Sequence, residues 1–134
     1  LLVFNQLQFQ YKTILHTIKV MESSDGVNCV RRYEPAFLKR YGDSGIMPEL
    51  RKKFGDEAAA SSYGCFQVLL CTAYENGFSG TPEELESPLV NEWMAITIVD
   101  KLYYHYEKDV WRVFKKYNGS TAYADRAYKI YKGR

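Results

Sequence analysis

Residues 7–24 carry apolar side chains at the spacing of one face of an α-helix. The row through Tyr11 and Ile18 brings Glu22 onto the same face one turn later. The polar and glycine residues at 23–26 then predict the end of the helix. We therefore expect a carboxyl at the end of an apolar face, where burial raises its pKa, as a general acid requires. A Glu held in a salt bridge or a helix cap is the alternative interpretation.

The rest of the chain is divided by proline, glycine and capping residues into further helices. The predicted helices cover residues 36–41, 48–54, 57–60 (capped by Asp56), 69–76, two segments that start at Thr81-Pro82 and Ser87-Pro88, residues 110–116 (capped by Asp109) and 122–132 (capped by Ser120 or Thr121). The pattern predicts a mostly α fold, with a single domain over residues 1–134.

The longest predicted helix covers residues 89–107 and is apolar on nearly all sides. That composition predicts a central helix that is buried on most of its surface. A short β-hairpin at residues 27–33 or 63–68 is left open.

Composition narrows the classes of partner. A net charge of +2 is too small to indicate nucleic-acid binding. The sequence has no run of about 18 apolar residues, so no membrane insertion is expected. No targeting signal is visible, and a first residue Leu1 rather than Met leaves open that the chain is a fragment. The 12 tyrosines suit a groove for a polar ligand such as a sugar, although they also fill half-buried positions.

Cysteine and histidine are too few for a metal or disulfide framework. Cys29, Cys65 and Cys71 have no CxxC spacing, and His16 and His105 are not paired. Free, mostly buried thiols are predicted, with one disulfide left open. No metal and no cofactor are expected.

Three short motifs follow one another along the chain: Glu22-Ser23-Ser24, Ser62-Tyr63-Gly64-Cys65-Phe66-Gln67, and Tyr117-Asn118-Gly119 followed by Tyr123. Together they resemble the lysozyme-like superfamily, in its soluble lytic transglycosylase and goose-type lysozyme branch. The resemblance covers about residues 14–131. Cys65-Phe66 replaces the usual Leu-Met of the second motif. The Arg31-Arg32-Tyr33-Glu34-Pro35 segment is similar to the muramidase domains of bacteriophage lysins.

The resemblance implies a lysozyme-like domain of about seven to nine helices around one long buried helix. It implies that Glu22 is the catalytic acid. Gly64 would allow close approach of the sugar, Gln67 would bind an N-acetyl group or Glu22, and the tyrosines of the third motif would form an aromatic wall. The implied substrate-binding residues are Ser23, Ser62, Tyr63, Gly64, Gln67, Tyr117, Asn118 and Tyr123.

The implied reaction is cleavage of the β-1,4 bond between N-acetylmuramic acid and N-acetylglucosamine in peptidoglycan. In a lytic transglycosylase, Glu22 would act as acid and then as base. The first alternative is a hydrolytic muramidase with a second acid, for which the candidates are Asp25, Glu34, Asp43, Asp56 and Glu57. The others are a non-catalytic cell-wall-binding or virion structural domain of the same fold and a chitinase-like enzyme.

The expected partners are peptidoglycan glycan strands and, if the chain is part of a larger assembly, other domains or virion proteins. The resemblance implies a location in the cell envelope, in the periplasm or outside the cell, or on a virion.

Overall fold

The structure, a computed structural model, describes the backbone of residues 2–133 and the side chains of residues 12–133. Within these residues the helices are α1 (Leu2–Ser23), α2 (Pro35–Tyr41), α3 (Met47–Phe54), α4 (Asp56–Ala59), α5 (Leu70–Glu75), α6 (Pro82–Leu85), α7 (Pro88–His105), α8 (Val110–Asn118) and α9 (Thr121–Lys132). The strands are β1 (Arg32–Tyr33), β2 (Ser61–Tyr63) and β3 (Val68–Leu69). The predicted mostly α class is confirmed.

Most predicted helix boundaries are reproduced to within one or two residues because local chemistry fixes them. The side chains of Thr81, Asp109 and Ser120 each accept a hydrogen bond from a backbone N–H in the first turn of the following helix. The predicted cap at Asp56 is wrong. Asp56 is the first residue of α4, and its carboxylate accepts a hydrogen bond from Arg51 at 2.9 Å.

The three strands form one antiparallel sheet in the order β1-β2-β3. Arg32 pairs with Ser62 in the first ladder, and Tyr63 pairs with Val68 in the second. Both segments left open for a hairpin therefore contribute to the same sheet.

Helix α1 lies against the core as predicted from its apolar row. Ile14, Thr17 and Ile18 are fully buried, and Glu22 follows in the last turn. The side chains of Leu7 and Tyr11, which belong to the predicted row, lie outside the described residues. Helix α1 packs against α7 and α9, and α8 packs against the same two helices. This arrangement holds the end of α1 near the start of α9.

The prediction that α7 is buried on most sides is wrong for its first half. Leu89 is 82 % exposed and Trp93 is 68 % exposed, whereas Met94, Ala95 and Ile98 are buried. The N-terminal half of α7 thus packs through one face only, and apolar composition alone does not distinguish the two faces.

The prediction of free thiols is wrong for two of the three cysteines. Cys29 and Cys65 form a disulfide across 36 residues of sequence, whereas Cys71 is free and buried, as predicted. The disulfide joins the loop that follows α1 to the turn between β2 and β3. No helix in the described part of the chain is long and apolar enough to cross a bilayer.

Candidate active site

A cleft of about 640 Å³ lies between the sheet and helices α1, α5, α7 and α8. Five of the predicted site residues line it, together with residues that the sequence did not single out. The five are Glu22, Ser62, Gln67, Tyr117 and Asn118. The structure thus brings parts of all three motifs to one cleft.

Glu22 lies in the wall of this cleft and is only 8 % exposed. Burial raises the pKa of its carboxyl above the ordinary value of 4.5. The Tyr123 hydroxyl and the charge of Arg32 lower the pKa, and the negative charge of Glu34 raises it again. The net increase favours the protonated form, which is the form that a general acid needs.

Arg32 fixes the end of α1 from the neighbouring strand. Its guanidinium donates a hydrogen bond to the backbone carbonyl of Glu22 at 2.6 Å. The same side chain lines the cleft, so its charge acts on the Glu22 carboxyl as well as on the helix end. The sequence assigned no role to Arg32 beyond the resemblance of its segment to phage muramidases.

Tyr117 and Tyr123 meet Glu22 from α8 and α9. Burial raises the pKa of both hydroxyls, and the charge of Glu22 raises each further. The Tyr117 hydroxyl donates a hydrogen bond to the carbonyl of Phe66 at 2.6 Å. The buried Tyr123 hydroxyl interacts with the Glu22 carboxyl, yet it makes no hydrogen bond of ordinary geometry to any described residue. Tyr117 therefore positions the β2–β3 hairpin, and the Tyr123 hydroxyl is the polar group next to the Glu22 carboxyl.

Gln67 is held by three hydrogen bonds within the protein. Its Nε2 donates to the carbonyl of Val30 at 3.0 Å and to that of Gly64 at 2.7 Å. Its Oε1 accepts from the Ser62 hydroxyl at 2.7 Å. Both amide N–H groups are thus in use, and only the second lone pair of Oε1 is left for a ligand.

Position 64 requires glycine because of contacts within the protein, whereas the prediction was that Gly64 allows a sugar to approach closely. Its φ is +75°, and a Cβ there would overlap the carboxamide of Asn91 rather than occupy the cleft. Asn91 reaches from α7 into the β2–β3 turn. Its Oδ1 accepts from the N–H of Phe66 at 3.0 Å, and its Nδ2 donates to the carbonyls of Tyr63 and Leu85. Gly64 is therefore required by the packing of the turn.

The other implied ligand-binding residues do not line the cleft: Ser23, Tyr63, Gly64 and Tyr123. The Ser23 hydroxyl donates to the carbonyl of Lys19 and accepts from the N–H of Gly26, which stabilises the end of α1. Tyr63 is fully buried, and its hydroxyl donates to the carbonyl of Ala58. Direct contact of Ser23 or Tyr63 with a ligand in this cleft has no support from these positions.

One of the five candidate second acids lines the cleft. Glu34 does so and acts on the pKa of Glu22. Asp43 and Asp56 accept hydrogen bonds from Arg51, and Asp25 lies 3.3 Å from His16. Glu57 is exposed and does not line the cleft.

Sequence analysis did not predict the polar residues that line the cleft on or directly after α5, and on α7 and α8. These are Thr72, Glu75, Asn76, Lys101 and Lys116. Lys116 directly precedes Tyr117 of the third motif but was not predicted to be a site residue. The others carry no local signal, because polar residues on helix surfaces are usually solvated.

Within the described side chains, no group of three or more His, Cys, Asp or Glu residues could hold a metal ion. Comparisons with protein families, with curated proteins and with solved structures find no match to this chain.

Proposed function

We propose that this protein cleaves the β-1,4 bond between N-acetylmuramic acid and N-acetylglucosamine in peptidoglycan, with Glu22 as the general acid. The observation that carries the proposal is the position of Glu22, a buried carboxyl of raised pKa in a cleft that also contains Gln67 and Tyr117. The order of the three motifs along the chain supports the further proposal that the protein belongs to the lysozyme-like superfamily.

In the proposed reaction, Glu22 donates its proton to the leaving glycosidic oxygen while the bond to the anomeric carbon breaks. General acid catalysis of this kind contributes typically about 10²–10⁴ in rate. In a transglycosylase, the 2-acetamido group of the muramic sugar supports the anomeric carbon. The Glu22 carboxylate then takes the proton of the sugar 6-hydroxyl as that oxygen attacks, which gives a 1,6-anhydro product.

Hydrolysis is the second candidate outcome, and Glu34 is the observation that favours it. A hydrolase that inverts needs a carboxylate to activate water, and Glu34 lines the same cleft as Glu22. The repulsion between the two negative charges also contributes to the raised pKa of Glu22. Replacement of Glu34 by Gln would then reduce hydrolysis but leave anhydro formation largely intact.

The test is incubation of the protein with purified cell-wall sacculi, followed by mass spectrometry of the released muropeptides. We expect release by the wild-type protein and loss of release in Glu22→Gln with an unchanged fold. The matched control is Glu92→Gln, which changes an exposed acid on α7 outside the cleft. Anhydro and hydrolysed products differ by the mass of one water, so the same spectra separate the two reactions.

Binding to sacculi without release would replace this proposal with that of a non-catalytic wall-binding or virion structural domain. Release from chitin oligomers but not from sacculi would indicate a chitinase-like enzyme instead.

The proposed partner is the peptidoglycan glycan strand, and the proposed location is the cell envelope or a virion. The Cys29–Cys65 disulfide supports an oxidising compartment, because such bonds persist mainly in the periplasm or outside cells.

A further inference from the structure

Arg32 connects strand β1 to the last turn of α1. Its Nη2 donates a hydrogen bond to the backbone carbonyl of Glu22 at 2.6 Å. Glu22 is the second-last residue of α1, so this carbonyl is one of the last four of the helix, which have no partner within it. Arg32 therefore holds the backbone that carries the acid from outside the helix.

Strand β1 gives this guanidinium a fixed base. Arg32 pairs with Ser62 of β2, and the N–H of Glu34 donates to the carbonyl of Ala60 at 2.9 Å. The side chain of Arg32 is half-buried and lines the cleft. Because its backbone and its guanidinium are both held, the positive charge of Arg32 stays next to the end of α1.

Two opposite charges reach the Glu22 carboxyl from this strand. Alternate residues of an extended segment lie on the same side, and Arg32 and Glu34 both line the cleft. The charge of Arg32 lowers the pKa of Glu22, and the charge of Glu34 raises it. Arg32 has the larger effect of the two. Glu34 is exposed, and solvent and salt screen an exposed charge more than a half-buried one.

The other groups around Glu22 do not supply a positive charge. Tyr123 from α9 and Tyr117 from α8 are uncharged at neutral pH, because burial and the charge of Glu22 raise the pKa of both hydroxyls. Glu75, Lys101 and Lys116 from α5, α7 and α8 line the same cleft, but the charges that act on the Glu22 carboxyl are those of Arg32 and Glu34. Among the described residues, the cation that acts on this carboxyl is therefore Arg32.

We propose that Arg32 is a positioning residue for the proposed reaction: it holds the backbone of Glu22 and is the counter-charge of the carboxylate that Glu22 becomes when its proton is transferred. This inference rests on the proposed function. Proton transfer to the glycosidic oxygen leaves a negative charge on a buried side chain, which is costly without an opposite charge nearby. Without Arg32, Glu22 would retain its proton too strongly to be an efficient donor.

The first measurement follows the titration of Glu22 directly and requires no activity. Protein labelled with ¹³C at the glutamate carboxyls is titrated by NMR, and the Glu22 signal is the one that is missing from Glu22→Gln. In Arg32→Gln we expect the pKa of Glu22 to rise by about one unit, the low end of the range for the loss of an opposite charge close to a carboxyl. Arg32→Lys, which keeps the charge, should stay near the wild type.

Three further variants serve as controls. Glu34→Gln removes the opposing charge and should lower the pKa of Glu22. Arg126→Gln loses one positive charge from an exposed position on α9 outside the cleft and should leave that pKa unchanged. Arg32→Met, which keeps an apolar stem without the charge, replaces Arg32→Gln if circular dichroism shows that the latter does not fold.

The second measurement is the pH profile of muropeptide release from sacculi. Release falls as Glu22 loses its proton, and in Arg32→Gln this limb of the profile should move upward by about one pH unit. Below the limb the rate should fall roughly threefold, because a weaker acid donates its proton less readily. Arg32→Lys should restore the position of the limb. A merely structural role for Arg32 would lower stability in both variants and leave the limb in place.

A pKa of Glu22 that is unchanged in Arg32→Gln, or that rises equally in Arg32→Lys, would overturn the inference and leave the proposed function intact. A wild-type protein that releases no muropeptides, although its Glu22 titrates as expected in every variant, would overturn the proposed function itself. The NMR titration and the release assay thus distinguish the two failures.

Discussion

The cleft has two sides that differ in how their polar side chains are bonded. The hairpin side consists of the β-sheet, and the helix side consists of α5, α7 and α8. On the hairpin side, Ser62, Gln67 and Arg32 all make hydrogen bonds within the protein. On the helix side, Tyr117 and Asn76 are bonded as well, but the exposed side chains of Lys101 and Lys116 make no hydrogen bond or ion pair with the described residues. Groups that are already bonded hold the site in shape, whereas unpaired groups in a cleft are available to a ligand.

This difference predicts that substitutions on the two sides affect different measurements. Changes on the hairpin side should reduce stability, and changes on the helix side should alter the handling of substrate. The largest effect should come from Asn91, which supports the hairpin from α7.

Replacement of Asn91 by Leu should lower the free energy of unfolding by about 3–5 kcal/mol, because three buried backbone groups lose their partner. Those groups are the N–H of Phe66 and the carbonyls of Tyr63 and Leu85. Urea unfolding followed by circular dichroism measures the change. The control Asn118→Ala, at an exposed position on the rim of the cleft, should stay within about 0.5 kcal/mol. A loss for Asn91→Leu as small as that of the control would refute the assigned role.

Reduction of the Cys29–Cys65 disulfide should cost about 2–4 kcal/mol, since the bond closes a long loop of the unfolded chain. Urea unfolding with and without a reducing agent gives the difference. Alkylation of the unfolded protein checks the pairing: one thiol, Cys71, should react before reduction, and all three cysteines should react after it. Three reactive thiols before reduction would contradict the disulfide.

The raised pKa of Glu22 gives a pH dependence with a definite sign. The folded state binds this proton more tightly than the unfolded state, whose pKa is near 4.5. The stabilisation is complete below that value and is lost as pH rises through the raised pKa. Glu22→Gln, which does not titrate, should therefore become more stable relative to the wild type as pH increases. Urea unfolding of both proteins from acid to neutral pH measures this gap.

The activity should follow the same titration. Because the acid must be protonated, the rate of muropeptide release by the wild-type protein should fall as pH rises through the raised pKa of Glu22. A rate that is independent of pH in this range, with an intact fold, would argue against Glu22 as the acid.

The smallest effect on stability should come from Lys101 and Lys116, which line the helix side of the cleft. Lys101→Ala/Lys116→Ala removes no bond to any described side chain, so the free energy of unfolding should change by less than about 0.5 kcal/mol per site. Thermal melts of the wild type, of this double variant and of the control Lys52→Ala/Lys129→Ala, which changes exposed lysines outside the cleft, make this comparison. A large loss would mean that the two lysines hold the helix side together, which would remove the contrast between the two sides of the cleft.

The helices could be predicted from the sequence because local signals define them. Pro35, Pro82 and Pro88 begin helices, and Gly119, with a φ of +96°, ends α8. The sheet could only be left open, because strands of two or three residues show no periodicity.

Tertiary relations could not be predicted in this way. Asn91 lies among apolar residues and gave no sign of its three hydrogen bonds to the hairpin and α6. The disulfide joins cysteines 36 residues apart, and no local pattern indicates such a pair. The exposure of Leu89 and Trp93 depends on which neighbours α7 has, and composition carries no information about that. Glu22 was found because its position depends on helix periodicity alone.

The contact between Gly64 and Asn91 has a consequence for how this sequence can change during evolution. A side chain at position 64 would need both a left-handed backbone and the space that the Asn91 carboxamide fills. Neither residue can then be exchanged freely while the other remains. Among relatives that keep this hairpin, the two positions, 27 residues apart in the chain, should therefore covary, and the pair should serve as a search signature where the shorter motifs have diverged.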